Sequence, residues 1–150
     1  MPSFENISIF GKGRVTYNPQ MEAGEPYVDK RTKPVQTKNE HKYGFLAGKS
    51  VIDIVNEGTR YPKSIVTFPN YNVSKEHFHP TQKPVDLLRY LILTYSNEGD
   101  TILDATIGSG TTAVAALMEK RHFIGFETNK EYFDIAQGRI DEVLRNPTLF

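Results

Sequence analysis

Hydrophobic and polar positions keep two different rhythms along this 150-residue chain, and the change falls near His79. From Pro84 onward, Val85, Leu88, Leu91, Ile92 and Tyr95 recur at the 3.6-residue period of an α-helix. Proline stands at its first helical position, and Asn97-Glu98-Gly99-Asp100 closes it. Residues 101–105 (TILDA) read as a buried strand, 111–121 as a short Ala-rich helix and 122–127 (HFIGFE) as a second strand. Asn129 is placed to cap a last helix in which Tyr132, Ile135, Ala136, Ile140, Val143 and Leu144 form one apolar stripe. Strands alternating with helices predict an α/β fold with a parallel sheet and right-handed crossovers.

The first half is less regular. Seven of the nine prolines lie between Pro19 and Pro84. Residues 4–10 (FENISIF) and 64–68 (SIVTF) read as strands. Between them, residues 11–60 carry nine Lys/Arg against six Asp/Glu, with Tyr17, Tyr27, Tyr43 and Phe45 interspersed. Such a segment suits either a solvated irregular connection or contact with nucleic acid through basic and aromatic side chains.

Composition narrows the classes. Lys plus Arg and Asp plus Glu both number 18, so the whole chain has no electrostatic footprint for nucleic acid or an anionic membrane, and any such binding must be local. The chain has no cysteine, which excludes disulfides, thiolate metal sites and a Cys nucleophile. No stretch approaches the ~20 apolar residues that span a bilayer, and the first residues lack a basic-then-apolar leader. The expectation is a cytoplasmic protein.

The most informative segment is the strand 101–105, the loop Thr106-Ile107-Gly108-Ser109-Gly110, the helix from Thr111 and the acidic Glu127 at the end of the next strand. Gly108, Gly110 and Ala113 stand in the G-x-G-x-x-G/A relation, which allows a tight turn, close ligand approach and close helix packing. Glu127 comes 17 positions after Gly110, where a carboxylate can accept hydrogen bonds from both ribose hydroxyls of an adenosine cofactor. The alternative is that the glycines serve only a turn and Glu127 caps the next helix. Asp104, inside the strand end, is costly unless partnered. A cationic group such as the ammonium of S-adenosylmethionine would partner it and a pyrophosphate would be repelled, although loop amides could satisfy it as well. Thr81, Gln82 and Lys83, in His79-Pro80-Thr81-Gln82-Lys83-Pro84, would gather at a helix N-terminus suited to a carboxylate, or else form only a Pro-defined helix entry with a solvated lysine.

HPTQKPVDLL, TILDATIGSGTTAVAAL and HFIGFETNKEYFDIAQGRI together resemble the C-terminal part of the amino-group DNA methyltransferases that modify adenine N6 or cytosine N4. The likeness is to the permuted group in which the cofactor motifs come last. FENISIFGKGRVTYNPQ and EGTRYPKSIVTF are similar to the preceding region of phage and prophage members. The resemblance implies a partial Rossmann-like S-adenosylmethionine-dependent methyltransferase sheet with an irregular target-recognition-like insertion: strand 1–10, insertion 11–60, cofactor part 61–150. It implies Thr81 and Lys83 near the methionine carboxylate, and Asp104, Gly108, Ser109, Gly110, Thr111 and Thr112 around the methionine part. Glu127 would hold the ribose, and His79 would be a structural member of its turn. Thr106 departs from the aromatic residue usual there. Double-stranded DNA is the implied partner, with Lys12, Arg14, Lys30, Arg31 and Lys33 as phosphate-contact candidates and no metal required.

The family holds the flipped base with an Asp/Asn/Ser-Pro-Pro-aromatic loop, and no such tetrad occurs in this sequence, so no catalytic residue is assigned. Glu25-Pro26-Tyr27 and Phe68-Pro69-Asn70-Tyr71 are the nearest approaches. A full methyltransferase sheet, at ~30 residues per strand-helix-strand unit, needs more chain than this. The expectation is the cofactor and recognition part of a larger enzyme, either completed by a chain carrying the missing loop or left as a remnant of a disrupted gene. A catalytically silent DNA- or cofactor-binding module and a nucleotide-dependent oxidoreductase are the alternatives.

Overall fold

The computed structural model of the chain describes residues 5–34, 49–69 and 81–146. The chain divides into two compact units, Met21–Lys63 on the one hand and Met1–Gln20 with Ser64–Phe150 on the other.

The unit Met21–Lys63 holds β1 (Glu22–Ala23), β2 (Tyr27–Pro34), β3 (Lys49–Asn56) and β4 (Thr59–Arg60). β2 and β3 pair antiparallel from Tyr27↔Asn56 to Pro34↔Lys49, and β1 pairs with β4 through Glu22↔Arg60 and Ala23↔Thr59. Within the segment expected to be irregular, residues 22–34 and 49–60 therefore form a two-stranded ribbon with a second short ladder at its root. Its period-two signal is weak for a physical reason. Val28 and Val55 on one face and Ile52 and Ile54 on the other are all exposed, so among the described side chains no buried face selects strict alternation.

Asn56 organises the root. Its side-chain oxygen accepts from the amides of Gly58 (3.0 Å) and Thr59 (3.1 Å) and from Arg60 Nη1 (2.6 Å). Gly58 has φ +98, and a Cβ there would stand 2.6 Å from the Gly24 carbonyl oxygen, so only glycine fits.

The larger unit contains α1 (Val85–Tyr95), β5 (Thr101–Asp104), α2 (Thr111–Met118), β6 (His122–Gly125) and α3 (Lys130–Arg145). β5 and β6 are parallel, in register from Thr101↔His122 to Asp104↔Gly125. All five elements lie where the apolar periodicity predicts, with ends shifted by a few residues. Pro84 is the N-cap of α1 rather than its first residue, and α2 stops at Met118, after which Lys120 takes φ 58. Asn129 caps α3 as expected, its side chain accepting from the amides of Glu131 (2.9 Å) and Tyr132 (3.3 Å).

The small α2 is the centre of the unit. Ala113, Ala115 and Ala116 are fully buried, which lets α1, α3 and both strands approach it closely. The core joins Ile92, Ala115 and Ala116 to Val85, Leu88, Ile102 and Phe123. The guanidinium of Arg121 is buried too. It donates to the Ser96 hydroxyl (3.1 Å), the Ser96 carbonyl (2.9 Å) and the Glu119 carbonyl, at the C-terminal ends of α1 and α2 where a cation is favoured.

Three expectations change. β5 and β6 are buried on one face only: Ile102 and Phe123 join the core, while Leu103 is 66% exposed and Ile124 51%. Residues 5–10 and 64–68 form no strand. An alternating run becomes a strand only where another pairs with it, and among the described residues none pairs with these; Ile7, Ile9 and Phe10 are exposed. Residues 11–20 also group with the larger unit rather than with the ribbon. The Asn18 amide donates to the Thr94 carbonyl (2.7 Å), and its side chain to the carbonyls of Leu93 (3.3 Å) and Ser96 (3.0 Å).

Candidate functional site

The loop between β5 and α2 is built from backbone geometry. The Ile107 amide donates to the Phe126 carbonyl (2.9 Å) and the Phe126 amide to the Asp104 carbonyl (3.1 Å), extending the two-strand ladder into the loop. The Gly110 amide donates to Ile107 (2.9 Å) to close the turn, and Gly110, at φ +82, caps α2. A Cβ at Gly110 would lie 2.8 Å from the Cβ of Ala136 on α3, so that glycine is required by conformation and by packing. Gly108 also has positive φ, and residues 108–110 are buried.

Both candidate carboxylates end up beside this loop. Asp104 accepts from the Thr106 amide (3.0 Å) and from the Thr112 hydroxyl (2.5 Å). Loop groups therefore satisfy it, the simpler of its two expected roles. Glu127 does two things at once. One oxygen accepts from the Gly108 amide (3.0 Å) and the other from the Asn129 amide (2.8 Å), so the carboxylate joins the Gly-rich loop to the entry of α3. The two acids thus stand at the carboxyl ends of adjacent parallel strands, where ligands bind in open α/β sheets.

The segment before α1 reaches the same loop through Gln82. The Ser109 hydroxyl donates to the Gln82 side-chain oxygen (3.1 Å). Lys83 pairs with Glu5 (2.6 Å), Thr81 is exposed, and α1 has no side-chain cap at Pro84. His79 lies outside the described residues. Sequence reasoning missed Arg139 of α3. One of its nitrogens donates to the Ser109 carbonyl (2.6 Å), the Ser109 hydroxyl (3.3 Å) and the Thr111 hydroxyl (3.1 Å). Its only sequence signal was its place three residues after Ala136.

The basic candidates do not fall in one unit. Lys12 and Arg14 are exposed in the larger unit, where Arg14 lines an open pocket of about 480 Å³ with Tyr17, Asn18 and Asn97. Lys30, Arg31 and Lys33 lie on β2. The two near-matches to the base-holding tetrad fall in different units. Tyr27 opens β2 with the Arg60 guanidinium 4.7 Å above its ring, and Phe68 packs edge-on against Tyr90 at 5.8 Å. Asn70 and Tyr71 lie outside the described residues. Among the described residues, no group of three or more His, Asp or Glu could hold a metal, and no helix is long and apolar enough to cross a membrane.

A Gly-rich turn between a strand and a buried helix, with an acid closing onto it from the next parallel strand, is an arrangement of the α/β class, at the strand ends where such folds hold ligands. The family model described as DNA methylase, of the N6/N4 methyltransferases, matches residues 1–138, and the chain belongs to that family. It is 52% identical over 63 residues to the type II methyltransferase M2.DpnII of Streptococcus pneumoniae, covering 42% of this chain and 24% of that protein. To the DNA adenine methyltransferase YhdJ of Escherichia coli K12 it is 42% identical over 84 residues, 55% of this chain and 29% of that one. The chain thus spans between a fifth and a third of the curated relatives it matches. Among solved structures, the M1.HpyAVI–SAM complex aligns with 81% of this chain and 63% of its own, at 26% identity and a TM-score of 0.47.

Proposed function

We propose that the chain forms the S-adenosylmethionine-binding part and the target-recognition insertion of a site-specific DNA amino-methyltransferase, acting in the cytoplasm on double-stranded DNA. The observation that carries this reading is the bond between the Gly108 amide and Glu127, in a chain of the DNA methylase family. It brings the loop and the acid together as an adenosine cofactor needs. Adenine N6 is favoured over cytosine N4, supported by the name of the relative YhdJ. The motif order supports the permuted arrangement, and the likeness of residues 4–20 and 57–68 to phage and prophage members supports a phage-like one.

The donor set fits this cofactor. Glu127, half-buried at the sheet end, would accept from the ribose hydroxyls. Asp104 with residues 108–112 would surround the methionine part, and Thr81 and Lys83 its carboxylate, Lys83 exchanging Glu5 for that group. Two carboxylates and one lysine suit a ligand with cationic and anionic ends better than a pyrophosphate. When bound, S-adenosylmethionine supplies a methyl group activated on a sulfonium centre. The chain's own residues orient that ligand, while the base would be held by an Asp/Asn/Ser-Pro-Pro-aromatic loop on a complementing chain. Residues 11–60 would meet DNA, with Lys12, Arg14, Lys30, Arg31 and Lys33 on phosphates.

Calorimetric titration of the purified chain with S-adenosylmethionine tests the reading. Glu127→Ala should bind at least about tenfold more weakly, the worth of a charged hydrogen-bonding group. Wild-type affinity in that variant would sink the ribose assignment, and NADH binding without S-adenosylmethionine binding would favour an oxidoreductase. The missing tetrad supports a second reading, a catalytically silent binding module. Methyl transfer to DNA by the chain alone, lost in Asp104→Ala, would reject it.

A further inference from the structure

We propose that Arg139 is a positioning residue that sets the shape of the Gly-rich loop, and through Ser109 ties that loop to Gln82, so that the two cofactor-binding segments act as one. This rests on the S-adenosylmethionine reading above.

The peptide between Ser109 and Gly110 is held at both ends. Its carbonyl accepts from Arg139 (2.6 Å) and its N–H donates to the Ile107 carbonyl (2.9 Å), so the plane cannot rotate without breaking a bond. The polarity of the chain of contacts is also set. A guanidinium only donates, so the Ser109 hydroxyl accepts from Arg139 (3.3 Å) and its proton goes to Gln82 (3.1 Å). Ser109 is 3% exposed and Thr111 6%, which leaves these bonds little competition from water.

Stability of α2 does not account for an arginine there. Arg139 meets the helix at its first residue, Thr111, where the macrodipole disfavours a cation. What the arginine does is fix a loop carbonyl and two hydroxyls in one geometry. α3 brings it there together with Ala136, one turn earlier, which packs against Gly110. The same helix begins just after Glu127, so loop, ribose acid and arginine share one support.

The test compares Arg139→Met, Arg139→Lys and Val143→Ala, using S-adenosylmethionine calorimetry and urea unfolding of the ligand-free chain. Val143 is buried on α3 one turn beyond Arg139 and makes none of the loop hydrogen bonds described above, so its variant reports loss of packing. Arg139→Met should bind about tenfold more weakly, the worth of one charged hydrogen bond, with Arg139→Lys recovering part of the loss. Val143→Ala should unfold earlier yet bind as wild type. Binding by Arg139→Met within about twofold of wild type would overturn the proposal, as would an equal loss in Val143→Ala. Should Arg139→Met fail to fold, Ser109→Ala removes the hydroxyl link and keeps the carbonyl; unchanged affinity there would overturn the tie to Gln82. Wild-type protein that binds no S-adenosylmethionine would remove the cofactor reading and this inference with it.

Discussion

Replacing Gly110 with alanine probes the loop most directly, because two independent penalties meet at that residue. The first is conformational: φ is +82, and an L-residue held in the left-handed region loses about 1–2 kcal/mol. The second is steric. The new Cβ would come 2.8 Å from the Ala136 Cβ and 3.0 Å from its Cα, well inside the roughly 3.5–4.0 Å optimum between carbons. Both neighbours are short and one is backbone, so overpacking of about 1–3 kcal/mol is expected. Together the loss is about 2–5 kcal/mol, a large share of the roughly 5–15 kcal/mol that holds a domain folded. With a urea slope of about 2 kcal/mol/M, the unfolding midpoint should fall by roughly 1–2.5 M. A double-mutant cycle with Ala136→Gly separates the terms, since the second change opens space and leaves φ alone. Coupling of about 1–3 kcal/mol in favour of the double variant is expected. A midpoint shift below about 0.3 M for Gly110→Ala would refute both penalties, and zero coupling would refute the steric one.

Other expectations follow from the same geometry. Arg121→Ala, which strands the carbonyls of Ser96 and Glu119, should cost about 2–4 kcal/mol in urea unfolding, more than the surface change Lys120→Ala. Asn129→Ala should cost about 1 kcal/mol by removing the cap of α3, and the loss should be smaller with Asp or Ser there. Leu103→Ala, at a position 66% exposed, should shift the stability of this chain by under about 0.5 kcal/mol; a core-sized loss would show that something covers that face. Asn56→Ala should loosen the root of the ribbon, read as faster amide exchange at Gly58 and Thr59 with α2 unchanged.

The second half of the chain was legible because its elements bury one side. Val85, Leu88 and Ile92 announce α1 by period, and Asn129 announces α3 because an amide-capping side chain is a local device. The loop was legible for the same reason, since Gly110 answers a local demand of backbone and packing. What the residues did not disclose was longer in range. Arg139 reaches Ser109 across 30 positions, and nothing about an arginine on a helix says which carbonyl it will meet. Lys83 was expected at an anion site and is paired with Glu5, 78 positions away. The ribbon was missed because its described apolar side chains are exposed on both faces, and the strands expected at 4–10 and 64–68 were over-read, residues 5–10 and 64–68 finding no strand partner among the described residues.

The pairing of β1 with β4 has a consequence beyond the fold. Glu22 lies opposite Arg60, so the ribbon leaves and returns to the chain at one point, closed by its own ladder and by Asn56. A segment whose ends already meet can be lengthened, shortened or exchanged without stretching what flanks it, as inserted domains are. The stretch 24–58 is in that sense a cassette. Descent within such a family could rewrite it freely while the loop at Gly108 stayed fixed, and an engineer could graft another ribbon between Ala23 and Thr59 on the same terms.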